Sequence, residues 1–535
     1  MLHPIVTTLP PTPPVAATPR ARAGLRLAIG VWVAAFAALV AAAQVFRTPG
    51  FMDAYYYYHV AVNLAAGRGF TEDVVWNYLT NAVAVSHASN LYWMPLTSLL
   101  MAPVLALGGE SFRLAQLPLL ALSATVPAIT AVVAARRLGG RFRGAMAAGI
   151  ALFCGYYFVY WTTLDSFGAF ALAALAVFLL AGRLSQAEPR TPLLLGLGLG
   201  AATAAAHLAR ADGPLLAVAA WVSIVVTQRR RLGRSHAVAL AASLGAYLVC
   251  MAPWLLRNLA VSGALLPSGG VQTLWLTEYN EIFSYQLPLT FDRYLAQGIG
   301  PIVQGKLTAA VRNLGVLFGL EYWLIPFAVA GWWRLRHWGP MGPAFTYGVL
   351  LYLAMTLAFT FPSGRGSMLH SGVALVPWLA IAAVAGIEVA VHWVAKRLPH
   401  WNPPVAFRNF SLIFVAISAG VCVYLTFDQA RDWHKQVDGY QAMAPAVSGN
   451  RPVVMTLNPP GWWYVTRQAS IQVPSDGPAA AVAAADRYGA THLLLEPQRA
   501  KAWEQVTPAG LSAFGFRLVT ETEGYSLFER TPIAP

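Results

Sequence analysis

Runs of about twenty apolar residues recur along the whole of this 535-residue chain, and that repetition limits its fold more than any other feature. A helix needs about 20 such residues to cross the roughly 30 Å hydrocarbon layer of a bilayer. Leu25 to Phe46 and Phe345 to Phe361 are of that order. Further runs are read at Leu114 to Ala135, Ala145 to Thr163, Phe167 to Ala181, Leu193 to Leu208, Leu215 to Thr227, Ala237 to Leu256, Leu314 to Trp333, Leu369 to Val394 and Phe410 to Phe427. The reading is a polytopic α-helical membrane protein of about eleven spans. Charged residues make up 11% of the chain, against about 25% in ordinary soluble domains, which excludes a cytosolic globular enzyme. The three cysteines, Cys154, Cys250 and Cys422, lie singly in apolar stretches, so neither a disulfide framework nor a zinc cluster is expected and they read as packing residues.

The net charge of +14 reflects topology and not nucleic acid. Half of the 36 Lys and Arg residues fall in six short segments that would share one side of a membrane. They are the N-terminal arm (Arg20, Arg22, Arg26), Arg136 to Arg143, Arg183 with Arg190, Arg229 to Arg234, Arg334 with Arg336, and Lys396 to Arg408. By the positive-inside rule these face the cytoplasm of a plasma (inner) membrane, with the N-terminus cytoplasmic and the C-terminus extracytoplasmic. Glu188 is the single carboxylate in those segments, so chemistry that needs acids should face outward.

Residues 1–24 are proline-rich without hydrophobic period and read as a disordered cytoplasmic tail. Leu25 to Phe46 exceeds the 7 to 15 apolar residues typical of a cleaved signal peptide and is expected to be retained. A membrane domain over residues 25–427 would carry external loops at 47–113 and 261–313. In the first, Met94 to Leu107 is too short and too broken by Pro95 and Pro103 for a full span, and reads as an interfacial or re-entrant helix. Residues 428–535 grow denser in charge and alternate strand-like runs (Val453 to Leu457, Ser470 to Val473, His492 to Leu495, Arg517 to Thr520, Ser526 to Glu529) with helix-like ones such as Ala479 to Tyr488. This predicts a small extracytoplasmic α/β domain.

Candidate chemistry lies at the outer ends of spans. Phe51-Met-Asp-Ala-Tyr-Tyr-Tyr-Tyr-His59 places Asp53 at the start of a helix that closes near Gly67, where it is either a functional acid or a helix cap. Its four tyrosines fit an interfacial aromatic belt. Asp165, in Trp161-Thr-Thr-Leu-Asp165-Ser-Phe, is again an acid or a cap. In His207-Leu-Ala-Arg210-Ala-Asp212 an external arginine opposes the orientation rule, so it binds either an anionic ligand or Asp212. Arg257, and Arg365 with His370, occupy equivalent outer ends, and together with Arg210 they would form a cationic pocket. Tyr56, His59, His87 and Trp93 are further candidates for substrate contact, His87 having a structural loop role as its alternative.

This order of features resembles the GT-C superfamily of membrane glycosyltransferases, in particular the branch of protein O-mannosyltransferases and aminoarabinose lipid A transferases. In that family an acid in the first external loop sits near a Tyr-rich helix, here Asp53 in DAYYYYHVAVNLAAGRGF, and a second follows in the next external loop, here Asp165 in TTLDSFGAF. The resemblance covers roughly residues 25–430, and VVMTLNPPGWWYVTRQASIQVP looks like the outer domain of bacterial members. Ala54 follows Asp53 where mannosyltransferases often have an Asp-Glu pair. Trp462-Trp463 leads into Tyr464-Val465, unlike the Trp-Trp-Asp-Tyr-Gly of oligosaccharyltransferases.

The resemblance implies transfer of a sugar from a polyprenyl-phosphate donor to an extracytoplasmic hydroxyl of a lipid, protein or glycan acceptor, with inversion. Asp53 would be the base. Arg210, Arg257 and Arg365 are candidates for the phosphate, since guanidinium groups bind its oxygens bidentately. No cofactor is required, although Asp53, Asp165 or His87 could offer ligands to a divalent metal. Membrane lipids are the remaining partner, and nucleic acid is not one. A transporter or flippase of lipid-linked sugars is the competing reading. It predicts charges at mid-span, where only Glu388 lies well inside a run.

Overall fold

A computed structural model describes residues 19–186, 189–267, 269–317, 322–359 and 366–531. The N-terminal tail up to residue 18, Glu188 and Arg365 lie outside the described residues. The first helices are α1 (Pro19–Ala43), α2 (Met52–Ala65), α3 (Leu96–Gly108), α4 (Phe112–Leu138), α5 (Arg141–Leu152) and α6 (Tyr156–Trp161). Next come α7 (Phe167–Leu184), α8 (Pro192–Ala209), α9 (Pro214–Gln228), α10 (Arg234–Ser262), the short α11 (Gly269–Gln272) and α12 (Phe291–Ala296), and α13 (Ile299–Leu317). The last group is α14 (Ile325–Leu335), α15 (Met341–Leu353), α16 (Ser367–Gly372), α17 (Val376–Ala395), α18 (Pro403–Met443), α19 (Pro459–Thr466), α20 (Pro478–Tyr488) and α21 (Pro508–Ser512).

Among the described residues, eight helical segments are long and apolar enough to cross a membrane: α1, α4, α7, α8, α10, α15 with its π turn, α16 through α17, and α18. The other three of the eleven expected spans differ from single long helices. Ala145 to Thr163 is split into α5 and α6 at Gly155, whose φ of 64° stops a right-handed helix. Leu215 to Thr227 belongs to the 15-residue α9. Leu314 to Trp333 crosses a 79° bend between α13 and the segment containing α14. The short helix expected near Met94 to Leu107 is α3.

Helix α17 is the centre of the bundle, with 83% of its best apolar window buried, whereas α1, α10 and α18 bury 11–22% and turn leucines and valines such as Leu244, Leu248 and Val249 outward. Such a surface suits hydrocarbon, which offers backbone groups no hydrogen bonds and so favours helices. Glycines let the inner helices approach closely: a Cβ at Gly331 of α14 would strike the Ala382 carbonyl of α17, and one at Gly386 would strike Phe327.

One six-stranded sheet is built in the order β2-β5-β4-β6-β8-β7. Five strands come from the C-terminal region: β4 (Val453–Thr456), β5 (Ala469–Gln472), β6 (His492–Leu495), β7 (Phe516–Thr522) and β8 (Tyr525–Arg530). The sixth, β2 (Val74–Val75), belongs to the loop after α2 and pairs in parallel with β5, Val74 opposite Ser470. The same loop forms a hairpin of β1 (Thr71–Glu72) and β3 (His87–Ala88). Helix α18 runs for 41 residues without a break from the bundle into this region, where Tyr440 and Gln436 bind the buried Glu496 that follows β6.

The four tyrosines of α2 are not an interfacial belt. All are at most 2% exposed. Tyr55 and Tyr58 pack on Tyr464 of α19, and Tyr56 and Tyr57 on Trp93, so α2 is clamped between its own loop and the C-terminal region. Cys154 and Cys422 are packing residues as expected, but Cys250 lies on the exposed face of α10.

Candidate active site

Four chain segments far apart in sequence meet at the end of the bundle that carries the sheet. Asp53 is in the first turn of α2, whose N-cap is Phe51 and makes no side-chain cap, so Asp53 is not the capping residue. Asp165 lies in the turn before α7, where its Oδ1 accepts from the backbone N–H and hydroxyl of Ser166. His370 projects from α16 with its ring stacked on Phe167, centroids 4.5 Å apart. Its Nε2 lies 3.2 Å from Asp165 Oδ2 and 3.6 Å from Asp53 Oδ2. Nδ1 is 2.9 Å from the Gly366 carbonyl, which requires the proton on Nδ1 and turns Nε2 toward both acids.

Arg210 follows α8 in extended backbone and brings a largely buried guanidinium to the same crevice. Its Nε donates to Ser371 Oγ at 2.9 Å and its Nη2 to Ser367 Oγ at 3.4 Å, while Asp212 Oδ1 lies 3.3 Å from Nε. Two hydroxyls of α16 thus aim the planar fork and leave Nη1 for a ligand. Tyr157 and Tyr347 donate to the carbonyls of Leu369 and Ser371, fixing α16 from two sides. Apart from the ion-pair approaches just given, Asp165 Oδ2, His370 Nε2 and both carboxylate oxygens of Asp212 are buried without a hydrogen-bond partner among the described residues. Buried polar atoms are ordinarily satisfied, so such a concentration marks where a ligand belongs.

The two acids differ electrostatically. Burial, and then the charge of Asp165, raise the Asp53 pKa to about 6 against the pull of His370 and Arg210. Burial also opposes ionisation of Asp165, but His370, the Ser166 N–H and Arg210 outweigh it and hold that carboxyl below its ordinary value. One acid is therefore a base able to take a proton near neutrality and the other a fixed negative charge. Asp53, Asp165 and His370 each offer one atom within 4.8 Å of the others, so the trio could also hold a metal ion. The Nδ1–H bond to Gly366 leaves the Nε2 lone pair that a metal-ligating histidine needs.

Several expected site residues lie elsewhere. Arg257 does not reach the acids: it donates to the Ser89 carbonyl at 2.7 Å and covers Trp254 and Phe70. His87 is paired across the β1–β3 hairpin with Glu72 at 3.0 Å. His59 stacks on Trp463 at 3.6 Å and faces Asp73. Trp93 stacks on Trp76 at 3.7 Å, and Tyr56 accepts the Asn90 N–H at 2.6 Å. These five form the platform of the first loop. Conversely, Tyr57, Ser166, Ser367 and Ser371 went unnoticed in the sequence. Tyr57 is buried beside Asp53, Asp165 and Arg210, and its i+4 spacing from Asp53 on one helix was the available signal.

No family model matches the sequence, and no curated protein matches it significantly. Its backbone does match solved structures. ArnT from Cupriavidus metallidurans in the apo state superposes with a TM-score of 0.56 at 14% identity, covering 95% of this chain and 97% of that one. The same protein bound to undecaprenyl phosphate gives 0.53 at 14% identity, covering 96% and 98%. The oligosaccharyltransferase of Archaeoglobus fulgidus gives 0.44 at 12%, covering 87% and 69%. The chain shares the fold of these ArnT structures, the GT-C-like architecture that the motif order implied. It is an integral membrane protein of apolar helices with a small sheet region near its C-terminus.

Proposed function

We propose that this protein is a membrane glycosyltransferase that moves a sugar from a polyprenyl-phosphate donor to a hydroxyl of a lipid, protein or glycan acceptor on the extracytoplasmic side. The observation that carries this reading is the convergence of Asp53, Asp165, His370 and Arg210 in one crevice beneath the sheet. It is supported by the fold, and by the ArnT structure holding undecaprenyl phosphate.

The chemistry follows from those four groups. Asp53 takes the proton of the acceptor hydroxyl as its oxygen attacks the anomeric carbon. The bond from that carbon to the phosphate oxygen breaks, and the Nη1 edge of Arg210 meets the negative charge that develops on the leaving phosphate. Attack from the face opposite the phosphate inverts the anomeric centre. His370 orients the Asp53 carboxylate, and the Asp165 carboxylate stabilises positive charge developing on the sugar ring. A divalent ion held by Asp53, Asp165 and His370 would supply further charge for the phosphate, though the reading requires no metal.

The transporter alternative needs uncompensated charge within the spans. Glu388 instead accepts from Arg143 and Arg334, each at 2.6 Å, which makes it a structural clamp. The deciding experiment incubates purified protein in detergent with labelled polyprenyl-phosphate sugars and compares wild type with Asp53→Asn. Transfer abolished by the substitution is expected. Turnover unchanged by it would remove Asp53 from the mechanism, and lipid movement without bond cleavage would favour transport.

A further inference from the structure

A cavity of about 350 Å³ lies apart from the acid crevice, at the seam where α1 ends and α18 and α19 meet it. Arg47, Thr48, His434, Asp438, Tyr464 and Arg467 line it. Arg47 is four residues beyond the last residue of α1, so the cavity sits at the depth where the apolar span gives way to headgroups.

Its charges favour an anion. Arg47 reaches Asp438 only at 3.7 Å, with the two side chains 67% and 56% exposed, a contact that solvent screens. Arg467 closes α19 in the left-handed conformation, φ 61°, where glycine is usual. Its guanidinium lies over Trp463 and is paired with Glu110. Arg113, whose field also reaches Tyr464, spends its donors on the Ala43, Gln44 and Phe46 carbonyls and on Gln116 Oε1, with no carboxylate paired to it among the described residues. Arg47 and Arg467 thus line the cavity with the single carboxylate of Asp438, while Arg113 and Glu110 stand behind Tyr464. An aromatic floor, a threonine hydroxyl and two arginine forks at the edge of the bilayer suit a phosphate group.

We infer that this cavity is a second, phosphate-binding site, distinct from the crevice and formed jointly by the end of α1 and the C-terminal region. Its occupant is a phosphate ester, either the headgroup of an anionic membrane lipid or a soluble phosphate. The two sites share a wall, since Tyr55 donates to Thr48 at 2.9 Å and packs on Tyr464 while Asp53 lies two residues earlier in α2.

Intact protein in phosphatidylcholine nanodiscs containing a minority of phosphatidylglycerol tests this by native mass spectrometry of retained lipid. The Arg47→Gln/Arg467→Gln double variant should retain at least about fivefold less phosphatidylglycerol than wild type. Arg230→Gln/Arg231→Gln, which alters a basic cavity in another loop, should not. Arg467→Gln also removes the contacts to Glu110 and Trp463, so Arg47→Gln alone is compared, and a smaller loss of lipid at unchanged melting temperature is expected. Competition by glycerol 1-phosphate identifies phosphate itself as the ligand, and lipid loss without competition identifies the headgroup. Equal retention by wild type and the double variant, or equal loss in both arginine pairs, overturns the proposal. Because the readout is binding, Asp53→Asn leaves it unchanged, and failure here is separate from failure of the transferase reading.

Discussion

The Glu388 clamp and the crevice both combine carboxylates with arginine, and they are built in opposite ways. At the Glu388 clamp both carboxylate oxygens are met by a guanidinium at 2.6 Å, which joins α5 and α14 to the central α17. In the crevice, four buried atoms of Asp165, Asp212 and His370 make no hydrogen bond among the described residues beyond ion-pair approaches of 3.2 and 3.3 Å, against one, Arg143 Nε, at the clamp. A satisfied cluster stabilises packing, whereas an unsatisfied one holds polar groups ready at a cost in stability.

The largest expected effect is on the crevice acids. Asp53→Asn should lower turnover by about 10²- to 10⁴-fold, the range of general-base catalysis, while thermal unfolding shows no loss of stability. A parallel collapse of melting temperature would mean that Asp53 is structural, like Glu388. Arg210→Lys should follow with a loss of about 10²-fold in kcat, because an ammonium cannot replace a fork aimed by Ser371 and Ser367.

The pH profile sharpens the contrast between the two acids. As the proposed base, Asp53 must be ionised to act, and its pKa is raised to about 6, so turnover should be near full at pH 7.5 and fall about tenfold per pH unit well below 6. Asp165, held below its ordinary pKa, stays charged through that range and adds no second limb. Removing that charge with Asp165→Asn takes away one cause of the raised Asp53 value, so whatever activity remains should have its midpoint at lower pH. A midpoint unmoved in that variant would break the assignment.

Smaller effects are expected at the clamp. Glu388→Gln leaves two arginines without their anion and should destabilise the fold by about 1–2 kcal/mol, less than a fully buried pair because both arginines are partly exposed. Activity per folded molecule should stay within about twofold of wild type. Tyr157→Phe removes one hydrogen bond to the backbone of α16, worth about 1 kcal/mol, and should lower kcat severalfold by loosening His370. Loss of stability without any change in kcat would place Tyr157 with the clamp.

Much of the fold was legible in the sequence because bilayer length and charge asymmetry act on contiguous residues. The breaks were not. Gly155 splits an apolar run through its backbone conformation, and β2 is two residues long and pairs with a partner nearly 400 positions away. The acids, Arg210 and His370 stood out because polar groups at the ends of apolar spans are conspicuous. Arg257 stood out equally but turned to the loop, since its nearest acceptors were backbone carbonyls. Tyr57 was masked by three neighbouring tyrosines, and Ser367 and Ser371 by their ordinariness.

The two-residue strand β2 has a consequence for motion. It makes the edge of the C-terminal sheet out of the very loop that continues from the helix of Asp53, so neither can slide without unzipping the other. A hinge between α2 and the C-terminal sheet would tear that seam and carry Asp53 with it.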